Sequence, residues 1–298
     1  MNKILAAIDN SAVAQPVLDV ASLVADLLGA EIEAVHARED GEQTAHAAAE
    51  AFGIPLRSIG KPVVAALLEA GAEPDVVAIA LGARGIEAGR RPAGHVALQL
   101  ALSLPKPLVV VPPEAAGRLR RILVPLNGLE LSAGTLAQTL RLAAHRKLEV
   151  IVLHVHDQES IPLFSDQRQH ELDSWADEFL RRHCPEPELV RLETRIGAPG
   201  ENVLQVAEHT SADLIALGWS QDLSPGRAAV VRAALERSPV PLLLVPAGGE
   251  IELGDLPAGH ENTQQQQQQQ QPQQHDSDQR IGVVQTTARA SCMSQGGC

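Results

Sequence analysis

Asp213 to Pro246 reads DLIALGWSQDLSPGRAAVVRAALERSPVPLLLVP, and the order of patterns within it decides the fold. Leu214–Leu217 and Leu242–Val245 are unbroken apolar runs, as expected of strands covered on both faces of a parallel sheet. Between them lie a loop led by Gly218 and a predicted helix over 228–237. Val231, Ala234 and Leu235 form one apolar stripe along that helix. Pro239 and Pro241 stop it and open the second strand. The same unit occurs earlier: a strand over Asp75–Gly82, a glycine-rich loop, a helix over Gly94–Ser103 and a strand over Pro107–Pro112. The chain carries one fold twice.

Outward from these units, each copy continues the alternation. Lys3–Asp9 is a short strand ending in a carboxylate, and Ser11 is placed to cap the helix that follows. Val13, Val17, Val20, Val24 and Leu27 stripe that helix, and Gly29 ends it. Next come a strand over Glu31–His36, an Ala-rich helix within 37–53, a weak strand at Leu56–Ile59 and a helix holding Val64, Leu67 and Leu68. A linker over Pro113–Leu119 leads to the second copy, which opens with Arg121–Asn127, Asn standing where the first copy has Asp. Ser132 takes the place of Ser11, and Leu136, Leu140 and Ala143 stripe the next helix. The strand Glu149–Val155 carries His154 where the first copy has His36; a strand over Leu189–Ile196 and a helix over Asn202–Thr210 complete the copy. The copies differ most over 156–188, where Leu172, Trp175, Ala176, Phe179 and Leu180 make a wide apolar face of the core-packing kind. Strands alternating with helices predict a parallel, right-handed α/β architecture. The expected domains are 1–113 and 119–248. Residues 249–298, with the glutamine run Gln264–Gln271, have too little apolar content to fold alone and are expected to be disordered.

Composition bounds the function. Hydrophobic residues make up 45% of the 298 and aromatics only 2%, so the cores are aliphatic. A formal charge of −13 argues against a nucleic-acid backbone as partner. No signal-like or membrane-spanning run is found. Cys184, Cys292 and Cys298 have neither the number nor the spacing of a disulfide framework or zinc site, which fits a cytoplasmic location.

Taken together, Lys3–Asp9 with Ser11, His36, Asp75–Gly85 with Gly94, and Leu108–Pro112 resemble the universal stress protein family, and the second copy repeats the order. There it runs Arg121–Asn127 with Ser132, His154-Val155, Asp213–Gly218 and Leu242–Pro246. The resemblance covers about residues 1–247 and points to the tandem form. It implies two five-stranded parallel sheets of Rossmann-like, adenine-nucleotide alpha-hydrolase-like type, with helices on both faces. The ligand crevice would lie where the winding reverses. It also implies that the last strands, Leu108–Val111 and Leu242–Val245, pair the halves as a pseudo-dimer; as open apolar edges they would be a liability.

Some members of the family bind ATP through a loop resembling Gly-x2-Gly-x9-Gly-Ser/Thr, where glycines admit the phosphates and a helix N-terminus favours their charge. The first copy offers Gly82-Ala83-Arg84-Gly85, eight residues, then Gly94-His95. One residue is missing, and His95 replaces the hydroxyl. By the same resemblance Asp9 would meet the base and ribose region, with Val35 or His36 near the base. Arg84, Arg90 and Arg91 are either phosphate partners or a solvated loop. The expected cofactor is ATP, with magnesium accompanying the phosphates.

The second copy departs further. Gly218-Trp219-Ser220-Gln221 lacks the second glycine, Ala228-Ala229 opens the helix, and Asn127 replaces the acid. Its counterpart positions are Asn127, Val155, Gly218 and Gly226; Trp219 either stacks on a base or fills the crevice. His154 and His156 beside Asp157 suggest a metal site, but the resemblance already accounts for His154 as a structural residue. No arrangement argues strongly for catalysis. Three functions compete: a stress-associated regulatory module that binds nucleotide, an enzyme that hydrolyses or transfers a nucleotide phosphate in the same crevice, and an interaction scaffold with vestigial crevices. The partners expected are an adenine nucleotide, an unidentified client protein and, beyond the pseudo-dimer, a second copy.

Overall fold

A computed structural model of the chain describes residues 1–11, 13–37, 43–83, 94–126, 130–156, 178, 189–224 and 227–249. Arg84, Gly85, Arg90, Arg91, Asn127 and Gly226 lie outside these, as do Leu172, Trp175, Ala176, Phe179, Leu180, Cys184 and the tail from residue 250 on.

In the first half the chain runs β1 (Lys3–Ala7), α1 (Ala14–Leu28), β2 (Glu31–Ala37), α2 (Gln43–Ala51), β3 (Leu56–Ile59), α3 (Val63–Gly71), β4 (Val76–Gly82), α4 (His95–Ser103) and β5 (Leu108–Val111). In the second it runs β6 (Arg121–Leu126), α5 (Glu130–Arg146), β7 (Glu149–His156), β8 (Val190–Ile196), α6 (Pro199–His209), β9 (Leu214–Trp219), α7 (Ala229–Arg237) and β10 (Leu242–Pro246). Even the weak strand at Leu56–Ile59 forms. The helix expected from Asn202 starts three residues earlier, because Pro199 suits a first helical position, where no N–H is needed. Ser11 differs from expectation. Its hydroxyl accepts from the Val13 amide at 3.2 Å, inside the turn before α1, while the helix has no side-chain cap.

The strands make one sheet of ten in the order β3-β2-β1-β4-β5-β10-β9-β6-β7-β8. Each half is parallel throughout, and the halves meet in a single antiparallel seam pairing Leu242 with Val110, Leu243 with Val109 and Leu244 with Leu108. The last strands thus protect each other's edges, as their composition requires.

Because side chains alternate across a strand, the unbroken apolar runs feed two layers at once. Ile4, Ala6, Ile8, Val109, Ile122, Val124 and Leu243 face α1, α2 and α5. Leu5, Ile79, Leu108, Val110, Leu123, Ile215 and Leu244 face α3, α4, α6 and α7. Each layer runs through both halves. Helix ends are also exchanged across the boundary. Arg146, in the last turn of α5, donates to the Asp26 carbonyl near the end of α1. Gln221, after β9, donates from Nε2 to the carbonyls of Ala101 and Leu104 at the end of α4, at 3.0 and 2.8 Å. All three bonds serve carbonyls at helix ends, where helix geometry leaves them without an internal partner.

The acid that starts the fourth strand of each copy ties it to the first strand of that copy. Asp213, its side chain 5% exposed, accepts from Arg118 Nε at 2.7 Å and from the amides of Arg120 and Arg121 at 2.8 and 3.1 Å. Asp75 pairs with Lys3 Nζ at 3.2 Å. Lys3 also reaches Glu33 and Glu73, and Arg57 bridges the same two carboxylates. No helix among the described residues is long and apolar enough to cross a membrane.

Candidate functional site

In the first half the winding reverses between β1 and β4, adjacent strands paired from Lys3↔Val76 to Ala7↔Leu81. Their carboxyl ends open a crevice of the kind where α/β sheets take ligands. Asp9 lies just beyond β1. Its Oδ1 accepts from the Ser11 amide at 2.9 Å and from the Ser11 hydroxyl, which fixes the direction of the carboxylate. Next to it, Asn10 Oδ1 accepts from the Ala45 amide at 3.1 Å and so holds the start of α2.

Across the crevice, Gly82 ends β4, and the Ala83 amide donates to the Val111 carbonyl at 2.7 Å. The Gly94 amide then donates to the Ala83 carbonyl at 2.8 Å, closing the base of the segment over 84–93. Gly94 is the N-cap of α4 in extended conformation, with no described side chain capping the helix, and Leu98 makes the first helical bond back to it. The amides of His95, Val96 and Ala97 are therefore the orphan donors of this end, where the helix dipole is positive. His95 is exposed.

Val35 and His36 fall on different sides of the sheet. Val35 is buried on the α3–α4 side. His36, 4% exposed, points its Nδ1 to the Ile8 carbonyl at 3.0 Å, a bond that puts a proton on Nδ1. His154 repeats it, Nδ1 to the Leu126 carbonyl at 3.3 Å, also 28 residues back. The shared histidine thus ties the second strand of each copy to the end of the first. Burial, then the neighbouring His156, pushes the His154 pKa down, and burial does the same to His156. The two rings meet edge to face at 4.4 Å. Among the described residues no group of three His, Cys, Asp or Glu stands together as a metal site would require.

The corresponding crevice of the second half is built differently. Of the β6–β9 ladder only Ile122↔Leu214 and Leu123↔Ile215 are paired among the described residues, so the hydrogen-bonded ladder stops at Leu123. Pro125 is the cause. It occupies the position of Ala7, where the backbone N–H would point toward β9, and proline has none. Nothing in the hydrophobic pattern flags this residue; only its register in the ladder does. Gly218 pairs with Val245, Val155 is half-buried in β7, and Trp219 is 3% exposed within the core layer, filling space. Ala228, the N-cap of α7, has left-handed backbone, φ 51°.

Residues 118–246 match the family model described as the universal stress protein family. This second half therefore has the sequence pattern of the universal stress protein family. No curated protein matches it significantly. Among solved structures, a universal stress protein from Archaeoglobus fulgidus is 17% identical, with a TM-score of 0.61, covering 82% of this chain and 98% of its own. A protein of unknown function from Pseudomonas aeruginosa is 13% identical, with a TM-score of 0.62, covering 85% of this chain and 94% of its own. Both alignments extend over most of the described chain, so the universal stress protein fold is present in both halves.

Proposed function

We propose that this protein is a regulatory module that binds one adenine nucleotide, in the crevice of its first half. The observation that carries the reading is the contrast between the crevices. The first keeps a carboxylate just beyond β1 and, after the adjacent strand β4, a helix started by a glycine, whose leading amides no described side chain caps. These groups fit the ligand: Asp9 would accept from base or ribose, and the α4 amides would donate to phosphate oxygens. Magnesium bound with the phosphates would neutralise part of their charge. In the second half a methyl-bearing left-handed residue replaces the glycine at the helix start, and the β6–β9 ladder stops before Pro125. These groups do not fit the ligand.

The test is nucleotide analysis of the purified protein after denaturation, followed by calorimetry with ATP. Binding near one equivalent per chain is expected. Asp9→Ala should weaken it tenfold or more, since a lost charge-assisted hydrogen bond is worth roughly 1.5–3 kcal/mol. Asn127→Ala should leave it unchanged. The reverse pattern would move the site to the second half, and no binding would leave a scaffold. Turnover of bound ATP would favour the enzyme reading.

A further inference from the structure

Gln221 occupies the place where the first copy has its second loop glycine: Gly82-x2-Gly85 against Gly218-x2-Gln221. Its backbone is left-handed, φ 57°, a conformation that a residue with a Cβ adopts at a cost. Its side chain leaves its own half and donates twice into the end of α4, to Ala101 and Leu104. Other described residues of the loop bond to one another. Asp222 Oδ1 accepts from the Ser224 amide at 2.8 Å, and the Arg227 amide donates to the Ser224 carbonyl at 3.0 Å, one residue before α7 is capped.

We propose that Gln221 is a positioning residue that couples the two crevices: it fastens the β9–α7 loop of the second half to the C-terminus of α4, whose N-terminus opens the crevice of the first. A nine-residue helix is a stiff rod about 13 Å long, so a change at one end reaches the other. The latch accounts for an unfavourable backbone conformation held at the entrance of a crevice. It also gives the second loop a task other than cradling an anion. The coupling of a ligand to the latch rests on the nucleotide reading; the latch itself does not.

The experiment is amide hydrogen exchange on the full chain, comparing wild type, Gln221→Ala and Gln221→Gly, each with and without magnesium ATP. Without ligand, both variants should exchange roughly fivefold faster or more, in α4 and in 219–228 alike. Wild-type exchange in α4 of Gln221→Ala overturns the proposal. So does wild-type protection in Gln221→Gly, which would mean that release of the left-handed strain outweighs the two bonds. With ATP, wild type should gain protection in both segments and Gln221→Ala in α4 alone. Protection of α4 without 219–228 in wild type overturns the coupling. A lack of protection at α4 would count against nucleotide binding, and the ligand-free comparison then decides the latch.

Discussion

Asp213 shows how much a single buried acceptor can organise. Its two carboxylate oxygens serve one guanidinium and two backbone amides, all from the segment that enters β6. Asp213→Ala leaves those donors without partners and should cost about 2–4 kcal/mol in urea unfolding. Arg118→Ala removes an ion-pair partner that is 60% exposed and should cost no more than about 1 kcal/mol. Equal losses would show that the ion pair, not the amide bonds, holds the segment. The titrating residues give the pH response. His154 and His156 have depressed pKa values, so they bind fewer protons folded than unfolded. Their contribution is complete above the ordinary histidine pKa, near 6.5, and is lost as the pH falls through their lower folded values. Glu73 is held below the usual carboxylate range by its hydrogen bond from Arg57, so a second loss begins below about pH 4.5. Urea midpoints should fall in two stages between pH 7 and pH 3. Glu73→Gln should flatten the lower stage only.

At the scale of elements, close approach between backbones makes some helix positions intolerant of a methyl group. A Cβ on Gly200 would stand 2.8 Å from the Ala233 Cβ and 3.1 Å from the Ala229 carbonyl oxygen, both fixed in α7. A Cβ on Gly71 would come as near, 2.7 Å from Ile79 Cδ1 and 2.8 Å from Leu104 Cδ1, but these are the ends of side chains that can turn. Gly200→Ala should therefore destabilise by about 1–3 kcal/mol, and Gly71→Ala by distinctly less. Denaturant midpoints of the two variants compare them directly. If Gly71→Ala proves the more damaging, rigidity of the neighbour is not what sets the cost. The helix periods that place these residues were legible in the sequence. The pairing of α6 with α7 was not, because periodicity identifies the buried face of a helix and leaves its partner undetermined.

For the whole molecule, the seam between β5 and β10 joins two repeats into one sheet with two continuous core layers. Val109 lies in that seam opposite Leu243 and is 0% exposed. Val109→Asp would bury a carboxylate without a partner there, at a cost of several kcal/mol. The expected result is earlier urea unfolding with the halves melting in separate transitions. A single transition at the wild-type midpoint would mean that the seam does not hold the halves together.

The α/β class, the doubling of the fold and the position of nearly every strand follow from sequence alone, because apolar period and turn residues act over a few residues. The edges that had to be hidden were legible for the same reason: Leu108–Val111 and Leu242–Val245 have no polar face to show to water. That Asp9 ends the first strand, Gly82 the fourth, and Gly94 starts a helix was legible in the local patterns; that Asp9 is oriented by Ser11 and that the Gly94 amide bonds to the Ala83 carbonyl was not. Three matters needed the tertiary structure: the end of the β6–β9 ladder before Pro125, which face of the sheet each of Val35 and His36 takes, and the reach of Gln221 into the end of α4. Each depends on ladder register or on a contact between residues more than a hundred positions apart, and neither leaves a period in the chain.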